Sequence, residues 1–542
     1  MQLFSFFFKV SVIIWLTCLV PSFATQIYSA NIKTLFLPVY DPTNPKHFII
    51  KDNKDWNHIN DLDKTCFFIR PGDYTALGDI QITVSGSMSE PRYIILYNGN
   101  DDHPAKLYNF RYSNSISKMA DIELENRSNL AKYRLYLYKA NYWIIDRQSF
   151  WKSKNKSKRM VYLQGSKHNV FNRALAVDTE SVYRIDVAYS NINDLKKMII
   201  SDGNIIQNNH LEKTKWSVSH KLFSDLAAIG LLGQELGEEI INTHIINNEI
   251  INYVDGIQLT RIGKGFLNAK ERNTTINFEG TIIANNNIYV TNIMYSDGNG
   301  KSDINGSYSF TENAIDLKAG SDNSNNPVII TQNYMWGYRQ ADHTYSDLGD
   351  IGSALVSHYD VRNVHILNNF IFNSNYGINI GGGLVPGVLY PLEDSIIENN
   401  IMYNMYDHYI VFESKHKTNI YDSCKNILIK NNIFATNNKK PVMKIYNADT
   451  LTVDRNTFFH TGSVYTASSL DNDKNKSRKS EKLSFRHNIF YSQENTFSTG
   501  IPKYAVDVNN TVKLKKSSYL KYKLIYHTNK FKKSSQKHLL EF

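Results

Sequence analysis

Hydrophobic and polar positions along this chain follow one recurring phrase. An apolar pair is followed by two polar residues, usually ending in Asn, and then by another apolar pair. The phrase reads Ile205-Ile206-Gln207-Asn208-Asn209, then Ile245-Ile246-Asn247-Asn248-Glu249-Ile250. It returns as Ile282-Ile283-Ala284-Asn285-Asn286-Asn287-Ile288 and as Ile329-Ile330-Thr331-Gln332-Asn333-Tyr334-Met335. Later copies end at Asn369, Asn400, Asn432, Asn456 and Asn488, spaced 31, 32, 24 and 32 residues apart. Composition alone enriches Asn and Ile. It does not set Asn-Asn between apolar pairs at this interval.

An interval of this size fits one coil of a solenoid with connections of variable length. Each coil contributes about three short strands. Inward side chains stack on the coils above and below, about 4.8 Å away. Asn at the same bend in successive coils predicts a hydrogen-bonded ladder. The expected fold class is therefore all-β: a single-chain right-handed parallel β-helix with an Asn ladder and long side loops.

The earlier coils are less regular. Phe67-Phe68-Ile69, Arg92–Tyr97 and Tyr142–Asp146 read as strands, and His168–Arg173 as an early copy of the phrase. The segment Lys213–Leu236 reads as an excursion, partly helical. The repeat fades after Tyr491. The expected organisation is a signal peptide over 1–24, a lead-in or cap over 25–60, the β-helix over 61–495 and a basic tail or cap over 496–542.

Lys9, the apolar run Val10–Val20 and the small residues before Thr25 form the signal-peptide pattern. That run is short for a membrane span of about 20 residues. The expectation is export to the periplasm or outside the cell, with no transmembrane segment after cleavage. Cleavage removes Cys18, leaving Cys66 and Cys424 too far apart in a stacked fold to form a disulfide. With 42% hydrophobic residues, the core can supply the stability instead. Net charge is +10, with nine Lys and no acid between Lys513 and Lys537. The bland reading of that run is a solvated tail. The functional reading is attraction to an acidic polymer. That polymer could be a polysaccharide, a nucleic acid or an anionic surface; the chain carries no nucleic-acid motif, and the expected partner is an acidic polysaccharide, the protein being a monomer.

A strand follows each Asn phrase, and these strands align: Gly256–Arg261, Ala314–Lys318, Ala354–His358, Gly377–Gly381, Tyr409–Glu413 and Val442–Tyr446. Strand alternation turns Ile257, Ile315, Leu355, Ile378 and Ile410 inward, followed by Leu259, Leu317, Ser357, Ile380 and Phe412. It turns Gln258, Asp316, Val356 and Asn379 outward, beside Thr260, Lys318, His358, Gly381 and Glu413. Lys318 and His358 then sit on adjacent coils. Arg261 closes the preceding strand. Long connections flank this column, including Arg339–Gly352 with Asp342, His343, Asp347 and Asp350. Gly381-Gly382-Gly383 forms a strip without side chains beside His358.

Arg70-Pro71-Gly72-Asp73-Tyr74, Ser85-Gly86-Ser87 and Pro91-Arg92-Tyr93-Ile94 resemble the first coils of the pectate-lyase-like superfamily. Within it, the chain is similar to the chondroitinase B and alginate lyase type over roughly residues 60–490. That resemblance implies a Lys and an Arg on neighbouring coils, often with calcium. Lys318 matches the Lys. Arg339 follows it, but Ser357-His358 stand where the Arg is expected.

β-Elimination on a uronate polymer requires a cation beside the carboxylate, a base for the C5 proton and an acid for the leaving oxygen. Lys318 is the candidate base, with His358 as acid or second base. Arg261 and Arg339 are candidates to bind the carboxylate, with Gln258, Asn379 and Glu413 as further substrate contacts. Asp316 is the candidate calcium ligand. The bland readings are a Lys318–Asp316 pair on a solvated face and an ordinary surface histidine at 358. Two further classes stay open: a non-catalytic carbohydrate-binding surface protein, and a glycoside hydrolase. The second requires paired carboxylates, which the aligned strands do not display.

Overall fold

The computed structural model describes residues 35, 37–97, 131–151, 159–189, 198–214, 227–233, 238–261, 276–291, 312–338, 352–358, 361–381, 391–413, 424–435, 440–445, 448–460, 462–467, 481–492 and 506–514. The chain divides into a leading unit, Met1–Thr43, and a main unit, Asn44–Phe542. The signal-peptide pattern, Asp342, His343, Asp347, Asp350 and the Lys run beyond Leu514 lie outside the described residues. Among the described residues, no helix is long and apolar enough to cross a membrane.

Three long sheets make up the main unit, holding 15, 14 and 12 strands among the described residues. All their pairings are parallel. The chain visits them in turn, as in Ile282–Ala284, Asn287–Tyr289 and Asn313–Leu317. This is the parallel β-helix that the repeat predicts, with the right-handed sense expected of crossovers between parallel strands.

The turn between the first and second sheets explains the Asn phrase. The first residue of the polar pair takes a left-handed backbone, with φ between 53° and 58° at Asn208, Asn247, Asn285, Gln332, Asn368, Asn399, Asn431, Arg455, His487 and Asn509. Asn tolerates this conformation better than most residues. The second residue carries the ladder. Asn248 Nδ2 donates to Asn286 Oδ1 at 3.0 Å and to the Ile206 carbonyl at 3.0 Å. Asn248 Oδ1 accepts from Asn209 Nδ2 at 2.8 Å and from its backbone N–H at 3.1 Å. The same arrangement passes through Asn333, Asn369, Asn400, Asn432, Asn456 and Asn488 to Asn510.

The inward columns match the alternation. Ile257, Ile315, Leu355, Ile378 and Ile410 are fully buried, as are Leu259, Leu317, Ile380 and Phe412. Ser357 shares that column and donates to the Pro391 carbonyl at 2.6 Å. Coils approach closely where the third sheet begins: a Cβ on Gly256 would lie 2.5 Å from the Ala314 carbonyl oxygen. Cys66 and Cys424 are both buried and are not joined to each other.

Two expectations change. Ala227–Gly233, placed in an excursion, is a buried strand of the third sheet paired with Asp255–Arg261. Its uniformly apolar sequence has no alternation to mark it, because both its faces are covered. The stack also extends past both expected ends. His47–Ile50 pairs with Cys66–Ile69, and Val506–Val508 and Thr511–Leu514 add to the far end.

Candidate functional site

Outward positions of the third sheet line up as expected. Gln258 faces Asp316, Asp316 faces Val356, Val356 faces Asn379 and Asn379 faces Val411. One position along, Gly381 faces Glu413. The Lys318 N–H donates to the Leu259 carbonyl and the His358 N–H to the Leu317 carbonyl, both at 2.8 Å. Those bonds continue the sheet and set Lys318 and His358 on adjoining coils.

Asp316 joins three coils. Its Oδ2 accepts from Gln258 Nε2 at 3.1 Å on one neighbouring coil and lies 3.1 Å from Lys318 Nζ on its own. Its Oδ1 is 3.6 Å from His358 Nε2 on the other neighbouring coil. The Asp316 side chain is 1% exposed, with Lys318 at 15% and His358 at 19%. A carboxylate this deeply buried is tolerable only with partners of opposite charge and hydrogen-bond donors. Lys318 and Gln258 supply both.

The column is outward but not open to solvent. Gln258, Thr260, Asp316, Val356 and Asn379 are all buried. Alternation fixes which way a side chain leaves the strand. It does not fix what lies beyond it. The Lys318–Asp316 pair exists, but on a buried face and not a solvated one. Among the described residues, Gln258 Oε1, Thr260 Oγ1, Asp316 Oδ1 and Asn379 Oδ1 have no hydrogen-bond partner. Each such atom costs about 1–3 kcal/mol if it stays unpaired. Thr260 was absent from the sequence-derived candidates, although its place in the outward column marks it.

Other candidates are placed less fully. Arg261 and Glu413 end their strands, with side chains outside the described residues; Arg339 lies outside them altogether. Arg362, adjacent to the column in sequence, pairs with Asp322 at 3.4 Å. Asp316, the candidate calcium ligand, has two nitrogens carrying hydrogen near its Oδ2, while its Oδ1 accepts no hydrogen bond among the described residues. No group of three or more His, Cys, Asp or Glu that could hold a metal occurs among the described residues.

The same outward face continues toward the N-terminus, where Asn phrases are too scarce to align the strands. Tyr136 faces Tyr162, Tyr162 faces Arg184, Arg184 faces Gly230 and Gly230 faces Gln258. Alternation in Leu135-Tyr136-Leu137-Tyr138 and Tyr183-Arg184-Ile185-Asp186 was the available signal.

No family model and no curated protein matches the sequence. Solved structures do. A mannuronic-acid-specific polysaccharide family 6 lyase from human gut microbiota is 11% identical, with TM-score 0.48, covering 90% of this chain and 94% of that one. An alginate lyase from Paenibacillus sp. str. FPU-7 is 13% identical, with TM-score 0.38 and coverage of 67% and 98%. The catalytic domain of a GH87 α-1,3-glucanase in complex with nigerose is 12% identical, with TM-score 0.38 and coverage of 88% and 70%. The chain has a parallel β-helix fold. Its three parallel sheets establish that fold by themselves.

Proposed function

We propose that this is an exported, polysaccharide-acting β-helix protein that cleaves an acidic, uronate-containing glycan by β-elimination. The observation that carries this reading is the buried cluster in which Asp316 holds Lys318 and approaches His358. Acidic glycans also suit the net charge of +10.

The ion pair supports a reading in which the roles of Lys318 and His358 are exchanged. Lys318, 3.1 Å from the Asp316 carboxylate, takes the part of proton donor in this reading. His358, whose Nε2 faces Asp316, is the better base. In the proposed step, His358 takes the C5 proton of the uronate. The C–H electrons form the C4–C5 double bond and the C4–O bond breaks. The Lys318 ammonium gives its proton to the leaving oxygen. Asp316 then balances the imidazolium. Gln258 Oε1, Thr260 Oγ1 and Asn379 Oδ1 accept from sugar hydroxyls. Arg261 and Arg339 are the candidates to neutralise the uronate carboxylate in this step.

The test is an assay of alginate, pectate and glycosaminoglycans by the ultraviolet absorbance of the unsaturated product. His358→Ala should lower the rate by roughly 10²–10⁴-fold, the usual contribution of a positioned base. Activity that survives His358→Ala but not Lys318→Ala would reverse the two roles. Absence of product on every polymer would remove the lyase reading for those substrates.

A non-catalytic, carbohydrate-binding protein is the second reading. The low exposure of Lys318 and His358 favours it, because a catalytic pair has to meet its substrate. Binding of the same polymers without product would select it.

A further inference from the structure

The N-terminal part of the third sheet's outward face carries a second cluster that the elimination chemistry does not use. Tyr136 and Tyr162 stack at 5.1 Å with 13° between their planes. Cations gather around these rings. Arg159 lies 4.1 Å from the Tyr162 centroid, Arg184 5.4 Å from the same ring, and Lys139 Nζ 4.7 Å from the Tyr138 ring. Against these three cations, the described residues of the cluster set one carboxylate, the buried Asp186.

Asp186 is already engaged. Its Oδ2 accepts from the Tyr162 hydroxyl at 3.2 Å and lies 3.4 Å from Arg184. Its Oδ1 accepts from the Val187 N–H at 2.9 Å. Among the described residues, Arg159 and Lys139 have no ion-pair partner, and the buried Arg184 Nε has no acceptor. Positive charge therefore exceeds negative charge beside rings of the kind that suit sugar faces.

Position connects this cluster to the candidate site. Arg184 is three strand steps from Asp316 in the same outward column, about 14 Å along the helix axis. The residue next to Arg184 in that column is Gly230, which presents no side chain. We propose that Arg159, Arg184 and Lys139 form a remote subsite for the anionic groups of an acidic glycan lying along this face, with Tyr136, Tyr138 and Tyr162 as its stacking surface. This rests on the reading that the face takes an acidic glycan. It adds that the glycan is gripped several sugar units away from Lys318 and His358.

The test is calorimetric titration of the full chain with uronate oligosaccharides of increasing length, with a neutral glucan series as control. A His358→Ala background prevents consumption of the ligand. Affinity should step up once an oligosaccharide is long enough to reach from Asp316 to Arg184. The added Arg159→Gln and Arg184→Gln substitutions should remove that step, roughly tenfold in affinity, and leave short oligosaccharides unaffected. Arg159→Gln alone should remove part of it without disturbing Asp186, which guards against a folding defect. No step with length, an equal step with the neutral series, or a step that survives the double substitution would overturn the subsite. The two readings fail separately: a length-dependent step without product in the wild type removes the elimination, and product without a step removes the subsite.

Discussion

Two stacks of polar side chains run along this molecule, and they follow opposite rules. In the ladder turn, Asn209 through Asn488 are almost wholly buried, with amide groups bonded to the coils on either side. On the outward face of the third sheet, Gln258, Thr260 and Asn379 are buried to the same degree, yet each leaves an oxygen without a partner among the described residues. A buried amide with every bond made is part of the frame. A buried amide with bonds unmade is a cost that folding does not explain, and a ligand is the natural source of the missing partner.

That contrast can be broken at several points. The largest effect is expected at the ladder. Asn333→Ala removes the acceptor of the Asn286 amide and backbone N–H, and the donor to Asn369 Oδ1 and the Ile283 carbonyl. With several buried groups orphaned, destabilisation on the order of 4 kcal/mol is expected in denaturant unfolding. A loss below about 1 kcal/mol would mean that the ladder is not what holds the turns.

Asn379→Val should do the reverse. The flanking coils already carry Val356 and Val411 in this column, so the shape is tolerated. Stability should hold or rise by about 1 kcal/mol while glycan processing or binding falls. Marked destabilisation would assign Asn379 to the frame.

A pH-dependent effect is expected at a polar cluster on the second sheet. His210 is buried between Glu249, 2.9 Å from Nδ1, and Glu212, 3.0 Å from Nε2. Burial opposes its charge, but hydrogen bonds and attraction from both glutamates raise its pKa to about 10. A histidine raised in the fold contributes stability that is complete below its ordinary pKa and is lost as pH rises through the folded value. Stability should therefore decline from about pH 6.5 toward pH 10, and His210→Gln should flatten that slope. An unchanged slope in the variant would place the pH dependence elsewhere.

The ladder was legible because it repeats: each Asn confirms the register of the next. The inward and outward columns of the third sheet were legible for a related reason, since a period of two leaves only two faces. Ala227–Gly233 was hidden because burial on both faces erases alternation. The coil ending at Asn510 was hidden because Asp507 interrupts its apolar pair. Burial of Gln258 and Asn379 was not legible at all. It depends on what lies outside the sheet, which no local pattern encodes. The Arg184 cluster escaped because the early coils lack the Asn phrase that fixed alignment elsewhere.

The ladder turn has a further consequence. Successive ladder residues are separated by as few as 22 positions, between Asn488 and Asn510, and as many as 47, between Asn286 and Asn333. The two-residue bend itself keeps its conformation throughout. Every gain or loss of length falls in the remainder of the coil. Descent can therefore lengthen, trim or exchange the connections beside the third sheet as interchangeable cassettes, while one edge of the molecule serves as a fixed spine. A scaffold of this kind lets specificity diverge rapidly without the architecture being reinvented.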